Sequence, residues 1–326
     1  MLRVLPEELD WKSAVMGTVV VLGILAAAIA YGEAGVAGAM GFVLTSLAWS
    51  RDEGRSMRGM AAFGGLGVAI GLAAFLSTGN VAMSSVLLGV VSFLAALATA
   101  SDRYGPTRWS LLVLWALIAL IVADTDTVVA SGLGFTIGWF LAVVISGQRR
   151  PTQDPPSGRV EGSARFAVGD TWLFATTKAV AVSVSVPLGF VLVSDSPYWV
   201  ALTVIIVAQA GRDDTMQMAL RRAIGTFLGV LLGVVVVWLL PAGDFWVAVV
   251  MAAIVFCQML FLNVNYVLYA LFLTALIVVG SALGAADVVD VARSRLLATI
   301  IGALVAMGAV LVSGRMSETG TVEHRV

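Results

Sequence analysis

The sequence predicts an all-α polytopic membrane protein of about 12 transmembrane helices, arranged as two parallel six-helix repeats. Three observations carry this prediction. Sixty per cent of the residues are hydrophobic and only 12% are charged, with a mean hydropathy of +1.00, a balance that soluble domains do not need. The apolar runs have the length of membrane-crossing helices, about 20 residues or slightly fewer, and lack the alternating code of a barrel strand. Charged residues fall between these runs in an alternating pattern.

In chain order the predicted spans are roughly 13–31, 34–49, 59–77, 81–100, 109–124, 127–146, 174–194, 197–210, 222–240, 245–262, 266–283 and 295–313. The N-terminal run MLRVLPEELDWK is acidic, and no small-residue cleavage site follows it. The first span is therefore read as a retained helix, not a removed leader. Cys257 is the single cysteine, so no disulfide forms within the chain.

With the N-terminus in the cytoplasm, all of the 19 Lys+Arg except Arg293 and Arg295 fall on the cytoplasmic side. The external loops instead hold Glu33, Asp124, Asp126, Asp195, Asp244, Asp287 and Asp290. This asymmetry predicts a cell (inner) membrane protein with both termini cytoplasmic. The net charge of −1 by itself selects no partner. The bilayer is the expected surroundings, and no nucleic-acid partner is expected.

The Pro-, Gly- and Arg-rich segment 146–170 divides the chain. The expected organisation is an N-terminal membrane half at 1–146, a cytoplasmic linker at 147–173, and a C-terminal membrane half with a short tail at 174–326. Superposing the halves pairs Arg51 with Arg212, Asp52 with Asp213, Glu53 with Asp214, Met57 with Met218 and Gly64 with Gly225. Six spans per half give both halves the same orientation, so the repeat is parallel. In each half this charged hinge follows the shortest span, 34–49 and 197–210. Short spans at matching positions of two halves point to a substrate site.

At the second hinge, Asp213, Asp214 and Thr215 are suited to cap a helix beginning near Met216. Arg221 and Arg222 would then stand at the inner membrane surface with their guanidinium groups toward water. They read either as an anion funnel, since the planar fork of arginine matches a carboxylate, or as positive-inside anchors. Gly225, Gly229 and Gly233 form a stripe along which another helix can approach closely. Pro187 lies inside the seventh span, and Asn263 with Asn265 reads as a tight turn between the tenth and eleventh. Lys12 and Lys178 read as snorkelling to the inner surface, and Trp115 and Trp139 as packing on lipid or neighbouring helices.

Tyr198-Trp199-Val200-Ala201-Leu202-Thr203, then Val207-Ala208-Gln209, then Arg221-Arg222-Ala223-Ile224-Gly225-Thr226-Phe227-Leu228-Gly229 resembles the run of the fusaric acid resistance (FUSC-like), or aromatic acid exporter, family. Roughly residues 175–313 carry the resemblance. The first half looks like a degenerate copy, with Gly35-Val36 where the second has Ser196-Pro197 and no Tyr-Trp pair. The resemblance implies an inner-membrane exporter of aromatic carboxylic acids or related organic anions, and a relationship to plant organic-anion channels. It implies substrate-binding roles for Tyr198, Trp199, Thr203, Gln209, Arg221, Arg222, Gly225 and Thr226. Many family members carry a large cytosolic domain, and segment 146–170 and the tail are too short to hold one.

The sequence contains no Walker A run, no HExxH, no paired Cys/His spacing and no G-x-S-x-G elbow. No enzyme activity and no cofactor or metal are expected. No acid stands clearly at mid-membrane, which weighs against proton antiport. An anion leaving an inside-negative cell nevertheless gains about 2.3 kcal/mol per 100 mV, enough for potential-driven efflux. The expected function is thus export of small aromatic or organic carboxylate anions, driven by the membrane potential or a proton gradient. The alternative is a non-transporting scaffold or subunit of a larger envelope complex. A homo-oligomer and a periplasmic adaptor are both left open.

Overall fold

The computed structural model describes residues 11, 15, 18–19, 23, 57–77, 79–101, 113–122, 125–147, 168–193, 197–209, 212–241, 243–262, 264–282 and 287–323. The second span, the Arg51-Asp52-Glu53 hinge and most of segment 146–170 lie outside the described residues. Among the described residues all regular structure is helical. The helices are α1 (Met57–Ser77), α2 (Val81–Ser101), α3 (Thr125–Gly147), α4 (Val168–Leu192), α5 (Tyr198–Val207), α6 (Arg212–Leu239), α7 (Asp244–Phe261), α8 (Tyr266–Ser281) and α9 (Val288–Glu323). Helical residues 113–117 lead into a π-helical turn, Ile118–Val122. These positions follow the predicted apolar runs.

Among the described residues four stretches are long and apolar enough to cross a membrane: Val81–Ala98, Thr171–Leu192, Asp213–Leu239 and Val288–Ser313. Helix α5, with 10 residues, is about 15 Å long, half of a hydrocarbon core of about 30 Å. The span predicted to be short is short. Pro187 sits inside α4.

Two helix starts lie earlier than the sequence suggests. Helix α6 begins at Arg212, so Asp213 and Asp214 occupy its first turn, where carboxylates favour the positive end of the helix dipole. Thr215 turns back instead. Its hydroxyl accepts from the Gln209 amide at 3.0 Å and donates to the Gln209 carbonyl at 3.0 Å, fastening the break between α5 and α6. Helix α9 begins at Val288, not near 295. The Asp287 carboxylate accepts from the Val289 amide at 2.7 Å and caps the end, and Val288, Val291 and Ala292 extend the apolar face. Asn265 caps α8 in the same way, accepting from Val267 and Leu268 at 3.0 and 3.3 Å, as suits the turn expected there.

By contact the chain forms two compact units, one of Ala27–Val184 with Val312–Val326 and one of Met1–Ala26 with Ser185–Leu311. The core of the first is aromatic. Trp115 is buried and donates its indole N–H to the Gly67 carbonyl at 3.1 Å. Its ring stacks on Phe135 at 4.9 Å, and Phe135 on Phe63 at 5.9 Å. Gly64 and Gly67 leave the space that Trp139 and Phe135 fill. Both tryptophans therefore pack on neighbouring helices.

In the second unit α6 is the central element, and its two sides differ. Leu220, Ile224, Phe227, Leu231, Val235 and Trp238 are exposed along one stripe, at the three- and four-residue spacing of a helix face suited to lipid. The glycine stripe faces α8. A Cβ on Gly225 would come within 2.6 Å of the Ala270 methyl, and one on Gly233 within 2.7 Å of Val278. The close approach expected of the stripe is present, and α8 is the partner.

Helix α9 packs on α6 with opposite direction. Ala219 shares a cluster with Ala303 and Ala306, Thr226 meets Thr299, and Val230 and Val234 group with Ala292 and Val288. Helix α5 lies along α9: Val200 packs with Ala298, and Thr203 faces Gly302.

Candidate functional site

The packing of α5, α6, α8 and α9 encloses two arginines. Arg222 on α6 is 0% exposed and Arg295 on α9 is 1% exposed. Nε, Nη1 and Nη2 of Arg222, and Nε and Nη2 of Arg295, have no hydrogen-bond partner of good geometry among the described residues. Burial of an ionised group without compensation costs several kcal/mol, so this is a site with an electrostatic deficit.

The surroundings are aromatic and hydroxylic. The Tyr266 hydroxyl is buried beside Arg222, close enough to interact with its charge but outside good hydrogen-bond geometry. Arg295 lies over Trp199, its guanidinium carbon 3.5 Å from the ring centroid. Trp199 in turn contacts Tyr198, ring centroids 4.8 Å apart, and the charge of Arg222 acts on Arg295. The Thr299 and Thr226 hydroxyls are 3.4 Å apart. Thr226 stands near the middle of α6 and Thr299 near the middle of the apolar stretch of α9.

The sequence-predicted residues separate into two groups. Tyr198, Trp199, Arg222 and Thr226 belong to this buried site. The expectation that Arg222 holds its guanidinium in water at the inner surface is corrected: α6 begins a turn earlier, which carries Arg222 ten residues into the helix, on the side facing α8 and α9. Arg221, one residue earlier, points the other way and donates to Gln217 at 3.0 Å on an exposed face. It lines a polar recess with Gln209, Asp214, Gln217 and Met218. Gln209 uses its amide nitrogen to close the end of α5, donating to the Ile206 carbonyl at 2.8 Å.

Thr203 and Gly225 serve packing. The Thr203 hydroxyl donates to the Trp199 carbonyl at 2.9 Å within its own helix, and Gly225 admits α8.

Sequence reasoning missed Arg295, Thr299 and Tyr266. It placed Arg295 in an external loop beside Arg293; Arg293 is exposed, but Arg295 is inside the bundle. A signal was present. Arg222 and Thr226 repeat as Arg295 and Thr299 at the same four-residue spacing, which puts each pair on one helix face. Arg295 was also one of only two exceptions to the charge asymmetry. Among the described residues no group of three or more His, Cys, Asp or Glu stands together.

Residues 184–309 match the family model described as fusaric acid resistance protein-like. The chain carries a fusaric acid resistance protein-like region. It is also similar to the Inner membrane protein YccS of Escherichia coli (strain K12), 32% identical over 116 residues. That match covers 35% of this chain and 16% of the relative, so the chain spans only a small part of that relative's length. No solved structure gives a significant match. The family region contains α5 to α8, the apolar part of α9 up to 309, and every residue of the buried arginine site. Among the described residues this region holds apolar helices of membrane-spanning length.

Proposed function

We propose that this protein is an inner-membrane secondary transporter that exports small aromatic or organic carboxylate anions, driven by the membrane potential or a proton gradient. The observation that carries the reading is the pair of buried arginines, Arg222 and Arg295, that find no acidic partner among the described residues. A guanidinium is charged at any physiological pH and presents its donors in a fork that fits carboxylate. Two such groups deep in a bundle, flanked by Tyr198, Trp199 and Tyr266, favour an anion as their missing counter-charge. Charged groups within membrane helices mark transport paths more often than structural cores.

The remaining predicted residues fit around this core. Half-buried Arg221, with Gln209 and Gln217, would draw anions from the cytoplasm, where both termini also lie in this reading. Tyr198 and Trp199 would contact an aromatic ring, and Thr226 would offer a hydroxyl along the path. The repeat organisation, with membrane halves at 1–146 and 174–326, belongs to the same proposal.

The test is efflux of labelled hydroxybenzoate from proteoliposomes holding the purified chain. An imposed potential without a pH gradient is expected to drive efflux, and Arg222→Met is expected to abolish it. Absence of flux under a potential and under a pH gradient would favour the scaffold alternative.

A further inference from the structure

Resting on that reading, we infer that the path holds two anion positions in series, one at Arg222 with Tyr266 and one at Arg295 with Trp199, separated by the Thr226–Thr299 contact. Helices α6 and α9 run oppositely and cross at the two threonines. Each arginine stands four residues before the threonine of its own helix. Four residues rise about 6 Å, so the two arginine Cα atoms lie on opposite sides of the threonine pair, about 12 Å apart along the axis. The two guanidinium groups remain close enough for the charge of Arg222 to act on Arg295. Each guanidinium nevertheless keeps its own neighbour, Tyr266 for Arg222 and Trp199 for Arg295.

The surroundings of the two arginines also differ. Arg222 has the Tyr266 hydroxyl beside it, a donor for a carboxylate. Arg295 has one face covered by the Trp199 indole, leaving the edge of its fork for an anion. Between them the hydroxyl contact of 3.4 Å is long for an O–H···O bond and therefore weak. In this proposal it separates the two positions, and parting it costs little. Two like charges each lower the cost of an anion nearby, and two positions in series favour entry while letting one occupant displace the next.

The test is equilibrium binding of radiolabelled benzoate to the full chain in detergent. The expected stoichiometry is two per chain in the native sequence, one in Arg222→Gln, one in Arg295→Gln and none in the double variant. One benzoate per native chain, lost in either single variant, would overturn the two-position arrangement while leaving anion transport intact. No benzoate bound to the native chain, with no flux in proteoliposomes, would overturn the transport reading itself. Helical circular dichroism and a monodisperse elution profile qualify each variant, and Arg222→Met and Arg295→Met replace any that fail. For the barrier, Thr226→Ala and Thr299→Ala are each expected to raise efflux severalfold; efflux at or below the native rate would remove the threonine pair from that role.

Discussion

Arg295 and Trp199 form a cation–π pair in the interior of the bundle, with the guanidinium carbon 3.5 Å from the ring centroid. The pair joins α9 to the first turn of the short helix α5. In a desolvated setting such a contact is worth about 2 kcal/mol. Trp199→Leu is expected to lower stability by about that amount and Trp199→Phe by less, measured by thermal unfolding in detergent. In an Arg295→Met background the cost of Trp199→Leu should shrink. An equal cost in both backgrounds would show that the indole acts only by filling space.

Arg222 carries the opposite expectation for stability. Its charge is buried without a partner among the described residues, and an apolar side chain of similar length removes that desolvation cost. Replacement of buried ionic groups by apolar ones is neutral or stabilising by about 1–4 kcal/mol. Arg222→Met should therefore unfold at an equal or higher temperature than the native chain while losing anion efflux. A lower unfolding temperature would mean that the guanidinium holds the fold together.

Two glycines on α9 separate packing from propensity. A Cβ on Gly302 would come within 2.6 Å of Thr203 Cβ and 2.8 Å of the Val200 carbonyl, whereas one on Gly308 meets nothing within 4 Å. Gly302→Ala should push α5 away from α9 and cost about 1–3 kcal/mol. Gly308→Ala should change stability by less than about 1 kcal/mol, on the favourable side. Thermal unfolding of the two variants side by side decides the matter, and equal effects would contradict the packing of α5 on α9.

The break between α5 and α6 depends on Thr215, which is buried and makes both hydrogen bonds to the Gln209 backbone. Thr215→Val keeps the shape and removes both bonds. At about 1 kcal/mol for each, the loss should be close to 2 kcal/mol, and Thr215→Ser should restore most of it. If valine were as stable as threonine, the turn would be held by its apolar neighbours alone.

The membrane class, the helix positions and the shortness of α5 were legible in the sequence, because a bilayer imposes length and apolarity on each span separately. The Tyr198–Thr203, Gln209 and Arg221–Gly229 run that resembles the family was legible too, and the family match covers it. The glycine spacing on α6 announced a close helix neighbour, though not that the neighbour is α8.

The roles of the charged residues were not legible in the same way. Arg221 and Arg222 are adjacent in sequence, yet one lines a polar recess, half-buried, and the other is sealed in the bundle, since successive helical residues are turned by about 100°. Counting charges by loop put Arg295 outside, because the Asp287 cap that starts α9 seven residues earlier is a hydrogen bond that composition does not reveal. The sequence by itself determined which of the described segments are apolar helices. Only the tertiary structure decided that arginines 73 positions apart would face one interior, because the antiparallel contact of α6 and α9 sets their register.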